Sequence, residues 1–144
     1  PTGRRSGRRR TISAEMPLVR IEILKGRSAD EKQRLLDAVH AALVEGFGIP
    51  DDDRTQRIVE HEAESFEIPP GAGERYSLIE ITAFPGRSAD AKRRLYEAIV
   101  RNLGAERVPA EDIFVVLTEP PMENWGIRGG KPASEVDLGF RVDN

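Results

Sequence analysis

The chain reads as an α/β protein in which two tandem β-α-β units, fused end to end, form a four-stranded sheet with both helices on one face. Three observations predict this. Gly26-Arg27-Ser28-Ala29-Asp30 recurs as Gly86-Arg87-Ser88-Ala89-Asp90, and nine of the fourteen positions from Gly26 to Val39 are identical in the second copy. A repeat this close marks a duplicated supersecondary unit, and two copies are too few for a solenoid. Each copy has a short β-branched run before its glycine and an apolar stripe of helical spacing after it. Each stripe is then followed by a second strand-like run.

Leu18 to Leu24 and Leu78 to Phe84 are the first strands of the two units. Gly26 and Gly86 supply the turns, and Ser28 and Ser88 are helix N-caps. Ser28 with Glu31 forms a capping box. The first helix carries Leu35, Leu36, Val39, Leu43 and Phe47 on one face, and the second carries Leu95, Tyr96, Ile99 and Leu103. Pro50 and Pro109 close the connections to the strands Arg57 to His61 and Ile113 to Thr118. A strand–helix–strand unit of this length favours parallel pairing with a right-handed crossover. The tail from Pro120 carries Gly126, Gly129 and Gly130 and then Val136, Leu138 and Phe140, the pattern of a loop and a short hairpin. The domain spans 17–144, as repeats 17–74 and 75–144, after a basic leader over 1–16 that reads as disordered. With both helices on one face, the other face of the sheet needs a cover, and self-association supplies it.

Composition narrows the function. At 144 residues, 38% hydrophobic and 33% charged, the chain fits one well-solvated domain. No apolar run approaches the roughly 18 residues of a membrane span. The absence of cysteine excludes disulfides and thiol chemistry, and suits a cytoplasmic location. His40 and His61 are the two histidines, too little material for a metal site. His61 between Glu60 and Glu62 reads as a solvated strand end, and His40 as the boundary of the first helix stripe. The leader holds Arg4, Arg5, Arg8, Arg9 and Arg10, and the rest of the chain carries 17 basic and 24 acidic side chains, a net charge of −7. Such a body does not favour nucleic acid.

Pro17-Leu18-Val19 at the head of the first strand, with Gly26-Arg27-Ser28 after it, resembles the tautomerase superfamily, whose small members are similar to 4-oxalocrotonate tautomerase. Trp125-Gly126-Ile127-Arg128-Gly129-Gly130, followed by Ala133-Ser134, resembles the aromatic–glycine loop near the end of those short enzymes. Asp53-Arg54 and Gln56 after Pro50, on a fused repeat, resemble the malonate semialdehyde decarboxylase branch. The likeness runs from Pro17 to about Ser134.

The resemblance implies a cofactor-free enzyme acting on small oxo acids through an amino-terminal proline. Such a proline is a secondary amine whose pKa lies near the α-amino value of about 8 and falls with desolvation. As a base it moves a proton between a carbon and an oxygen, which is enol–keto tautomerisation. Kept protonated, it is the acid attributed to the decarboxylase and hydratase branches. Carried over residue by residue, Pro17 is the base or acid, Asp53 the acid beside it, and Arg87 the carboxylate-binding arginine. Arg57, Trp125, Arg27 and Gln56 are the further substrate-binding candidates, and the assembly implied is a homotrimer, with a hexamer as the alternative.

Nine residues before Gly26 stands Pro17, but nine before Gly86 stands Ser77, which has no amine to offer, so one amine site per chain is expected. Two features bear on the activity. Pro85 stands where the decarboxylase branch has a second arginine beside Arg87. Pro17 follows Met16, and in that linkage its nitrogen is an amide. Either translation begins at Met16, which is then removed, or the proline chemistry is lost and the protein is a non-catalytic trimeric binding protein. The tautomerase, the decarboxylase-like lyase and the binding protein all stay open at this point.

Overall fold

The computed structural model describes residues 17–139; the leader over 1–16 and residues 140–144 lie outside the described residues. Alternation of apolar and polar side chains makes β1 of Leu18–Leu24, with Val19, Ile21 and Ile23 buried. Helix α1 is Ala29–Phe47. Ser28 accepts from the Glu31 backbone N–H while the Glu31 carboxylate accepts from the Ser28 N–H, the reciprocal box expected. Strand β2 is Gln56–His61, β3 is Ser77–Thr82, helix α2 is Ala89–Gly104, and β4 is Ile113–Thr118. The two turns share one conformation: Gly26 and Gly86 have φ of 132° and 124°, a region open to glycine alone.

The sheet order is β2-β1-β3-β4. Within each unit the strands pair in parallel, Val19 opposite Gln56 and Ser77 opposite Ile113. The two units join through an antiparallel pair, Leu18 opposite Thr82 and Ile21 opposite Ile79. The sheet is therefore mixed, and an approximate two-fold axis relates the units. The head of β1 and the head of β3 consequently lie at opposite ends of the sheet, about 20 Å apart at strand rise.

Both helices cover one face and pack on each other. Leu35, Val39, Ala42, Leu43 and Phe47 of α1 meet Ala91, Leu95, Ala98, Ile99 and Leu103 of α2 over the inward side chains of β1 and β3. A Cβ added at Gly46 would stand 2.7 Å from the Leu95 Cα, so the helices cross in backbone contact there. Two assignments differ from the sequence reading. Tyr96 is 37% exposed, and Ala91 and Ala98 fill the stripe instead, because small side chains let α2 approach the sheet. His40 is buried rather than at the boundary, its Nε2 2.7 Å from the Asp51 carbonyl.

The opposite face of the sheet carries Leu18, Arg20, Glu22, Arg57, His61, Glu80, Phe114 and Val116. Arg20 bonds Glu80 and pairs with Glu22, whose carboxylate also lies 2.9 Å from His61 Nε2. Phe114 and Val116 remain 56% and 41% exposed. After β4 the chain folds through a turn at Met122–Asn124 into a two-stranded ribbon, β5 (Gly126–Ile127) against β6 (Lys131–Pro132). The hairpin thus sits within the glycine loop, earlier than Val136, since the glycines are what allow the reversal.

Candidate active site

Pro17 is buried at the head of β1. Two neighbours fix what surrounds it. On one side the Val19 N–H donates to the Thr55 carbonyl at 3.0 Å, which brings the 53–55 segment against the strand head. On the other side Leu18 faces Thr82, so the connection from β3 to α2, with Phe84 and Arg87, runs beside Pro17. Asp53 enters from the first flank, in a turn closed by its own N–H to the Pro50 carbonyl at 3.1 Å, and is 5% exposed.

Arg87 enters from the second flank and is held from two directions. Its Nη1 donates to the Phe84 carbonyl at 3.4 Å, and its guanidinium carbon lies 4.3 Å from the centroid of the Phe47 ring. Phe47 is the last residue of α1, six before Asp53, so one ring floors the guanidinium and ends the helix that leads to the acid. An arginine over an aromatic face in a dry setting keeps its charge and its orientation. Trp125 packs edge-on against Phe84 with centroids 4.7 Å apart, and its Nε1 donates to the Pro120 carbonyl at 3.1 Å. The Ala133 N–H donates to the Trp125 carbonyl at 2.9 Å, so the glycine ribbon holds the indole in place.

Pro17, Asp53, Arg87 and Trp125 thus gather at one end of the sheet. Arg57 stands on the open face near the same end. It lines a cavity of about 120 Å³ with Leu18, Arg20, Glu80 and Thr82, and makes no ion pair among the described residues. Two candidates are placed elsewhere. Gln56 points to the helix side, its amide donating to the Leu36 carbonyl at 2.9 Å, because it is in register with the buried Val19. Arg27 lies at the far end, beside the head of β3, where its Nη2 donates to the Arg75 carbonyl at 2.7 Å and to Ser77 Oγ at 3.2 Å.

Sequence reasoning placed Phe47 in the helical core and gave Phe84 no role. A signal was available in the repeat: Phe84 stands where the first copy has Leu24, and Phe47 where the second copy has Arg107. Among the described residues no group of three or more His, Cys, Asp or Glu side chains is placed to hold a metal ion. No helix there is long and apolar enough to cross a membrane.

Two family profiles, each described as a tautomerase enzyme, match residues 17–70 and 53–128. The second alone spans more than half the chain. The chain belongs to the tautomerase family. Among curated relatives, this tautomerase is 29% identical over 122 residues to the probable tautomerase YusQ of Bacillus subtilis (strain 168), covering 81% of this chain and 96% of that protein. Among solved structures, it is 32% identical to a malonate semialdehyde decarboxylase inhibited by 3-bromopropiolate, with a TM-score of 0.66 over 80% of this chain and 92% of that one. A fused 4-OT symmetric trimer shares the fold at 24% identity and a TM-score of 0.72, over 81% of this chain and 96% of that one. The protein is therefore an enzyme of the tautomerase superfamily, and its two β-α-β units are those of the fused members.

Proposed function

We propose that the tautomerase, with Pro17 as its first residue, interconverts the enol and keto forms of small 2-oxo acids. The observation that carries this is the placement of a buried strand-head proline between a flank bearing Arg87 and a flank bearing Asp53. Arg87, oriented by the Phe47 ring and the Phe84 carbonyl, receives the substrate carboxylate. Arg57, a cation without an ion-pair partner among the described residues, faces charge that develops on the enolate oxygen. The Pro17 amine takes the enol O–H proton and returns one to the adjacent carbon, so the proton count is conserved. Trp125 and Phe84 exclude water, which favours the neutral amine and so the base.

Decarboxylation of a short 3-oxo acid is the second reading, supported by the buried Asp53 carboxyl and by the likeness to a malonate semialdehyde decarboxylase. A carboxylate on one flank raises the amine pKa, and the arginine on the other lowers it; the stronger of the two decides between acid and base. Pro85 in place of a second arginine weakens the carboxylate clamp and weighs against the lyase. The assembly we infer is a homotrimer, supported by the exposed apolar side chains on the uncovered sheet face and by the trimer of the fused 4-OT.

The test is a preparation whose first residue is verified as Pro17, assayed with phenylenolpyruvate and with malonate semialdehyde beside its Pro17→Ala variant. Tautomerase turnover reduced at least 10²-fold by the substitution is expected, roughly the scale of a lost general base. Equal rates in the two proteins sink the proline mechanism. Turnover of malonate semialdehyde alone replaces the first reading with the second.

A further inference from the structure

The duplication built two strand heads, and only one begins with a proline. The other lies at the opposite end of the sheet, around the head of β3. There Gly26-Arg27-Ser28 stands to Ser77 as Gly86-Arg87-Ser88 stands to Pro17, with the same turn conformation and the same N-cap geometry. A cavity of about 100 Å³ opens at this end, lined by Lys25, Gly26, Arg27, Glu31, Glu74 and Arg75.

Of the charges around it, two have no ion pair among the described residues, Glu74 and Arg27. Lys25 Nζ lies 2.7 Å from Glu62, and Arg75 lies 2.8 Å from Glu31. Glu74 is exposed to solvent. Arg27 has no carboxylate at ion-pair distance among the described residues. Its Nη2 is bonded to neutral oxygens only, the Arg75 carbonyl and Ser77 Oγ, and its Nε is buried without a partner. Burial first, and the Arg75 charge second, hold the Arg27 guanidinium below the ordinary arginine value. Glu31 acts against both from a distance, but its carboxylate is bonded to Arg75, so the Arg27 fork keeps a buried N–H that an anion would satisfy.

We propose that this amine-less end of the duplicated fold is a second, non-catalytic binding site for a short monocarboxylate, with Arg27 as its anchor. The cavity has room for roughly three water-sized groups, so the ligand is of acetate size. Glu31 and Glu74 also line the cavity and oppose negative charge, so a ligand with one charge is favoured over one with two. With Ser77 at the place of Pro17 there is no amine to move a proton, so the ligand binds and leaves unchanged. The site stands independently of turnover at Pro17.

The test is amide chemical-shift mapping of the whole protein titrated with sodium acetate, first in the parent and then in three variants. Saturable shifts at residues 25–31 and 74–77 are expected, retained in Arg87→Gln and weakened about tenfold or more in Arg27→Gln, the loss of one charge-assisted pair. Arg27→Lys, which keeps the charge without the planar fork, is expected to fall between them. Shifts confined to residues 84–88, or linear and scattered over the surface, overturn the proposal. So does chloride that perturbs the same amides with equal affinity, because the site is then a simple halide site.

Discussion

Arg87 owes its place to two aromatic residues that lie far apart in the chain. Phe47 floors its guanidinium and Phe84 supplies the carbonyl that turns it, while Trp125 packs behind Phe84. Arg87→Gln keeps much of the size and loses the charge, and is expected to lower kcat/KM by about 10² or more in steady-state assays. Arg87→Lys is expected to restore only part, since a point charge replaces a fork. Elsewhere the same close control acts on stability. The Ser28 backbone N–H first, and Arg75 second, hold the Glu31 carboxyl below the ordinary carboxylate range. A depressed folded-state pKa means the contribution is present above the unfolded value and lost as pH falls through the folded one. Thermal melts from about pH 6 to about pH 2 are therefore expected to show a shallower loss of stability in Glu31→Gln than in the parent. At this scale motif and repeat single out Pro17, Asp53 and Arg87 as the proposed site residues. Gln56 is not, because a strand residue's side depends on its register: opposite Val19 it turns to the helices, one step from Arg57 on the open face.

The helices show how a duplicated element diverges. Both begin with a serine cap, but α1 has the full capping box and α2 has Ala91 where the return bond from a glutamate would start. Ser28→Ala is expected to cost about 1 kcal/mol, and more than Ser88→Ala, by urea denaturation. The crossing of α1 on α2 turns on Gly46, whose missing Cβ leaves room for the Leu95 backbone. Backbone cannot yield as a flexible side chain does, so Gly46→Ala is expected to destabilise by about 1–3 kcal/mol despite the better helix propensity of alanine. An unchanged denaturation midpoint would show that the helices separate freely. Apolar spacing made both helices legible in the sequence. The glycine contact was not, because a helix pattern says which face is buried and nothing about where two backbones touch.

In the whole molecule, the two faces of the sheet have opposite fates. One is sealed by both helices, and the other leaves Phe114, Val116 and Leu18 in the open around the Arg20–Glu22–Glu80 charges. In the proposed trimer, burying that face between copies would remove the apolar side chains from water and dry the end of the sheet where Pro17 lies. Phe114→Lys places an unpaired charge in that interface. Sedimentation velocity is expected to show the proposed trimer in the parent and a shift to monomer in this variant, with the far-ultraviolet circular dichroism of the fold retained. A variant that stays fully trimeric places the interface elsewhere.

The duplication, the two β-α-β units, the capped helices and the proline–arginine–acid set are all written in local patterns: repeat identity, periodicity, turn residues and spacing. Those patterns act over a few residues, so they are readable without knowing how the units meet. The antiparallel join of β1 to β3 is a different kind of fact. Either a parallel or an antiparallel join would satisfy the same alternation of side chains, and only the packing of both helices over one core selects between them. That choice separates Arg27 from Arg87 by the length of the sheet and sets Phe47 beneath Arg87. It is why one chain carries a strand head with a proline at one end and its serine counterpart at the other.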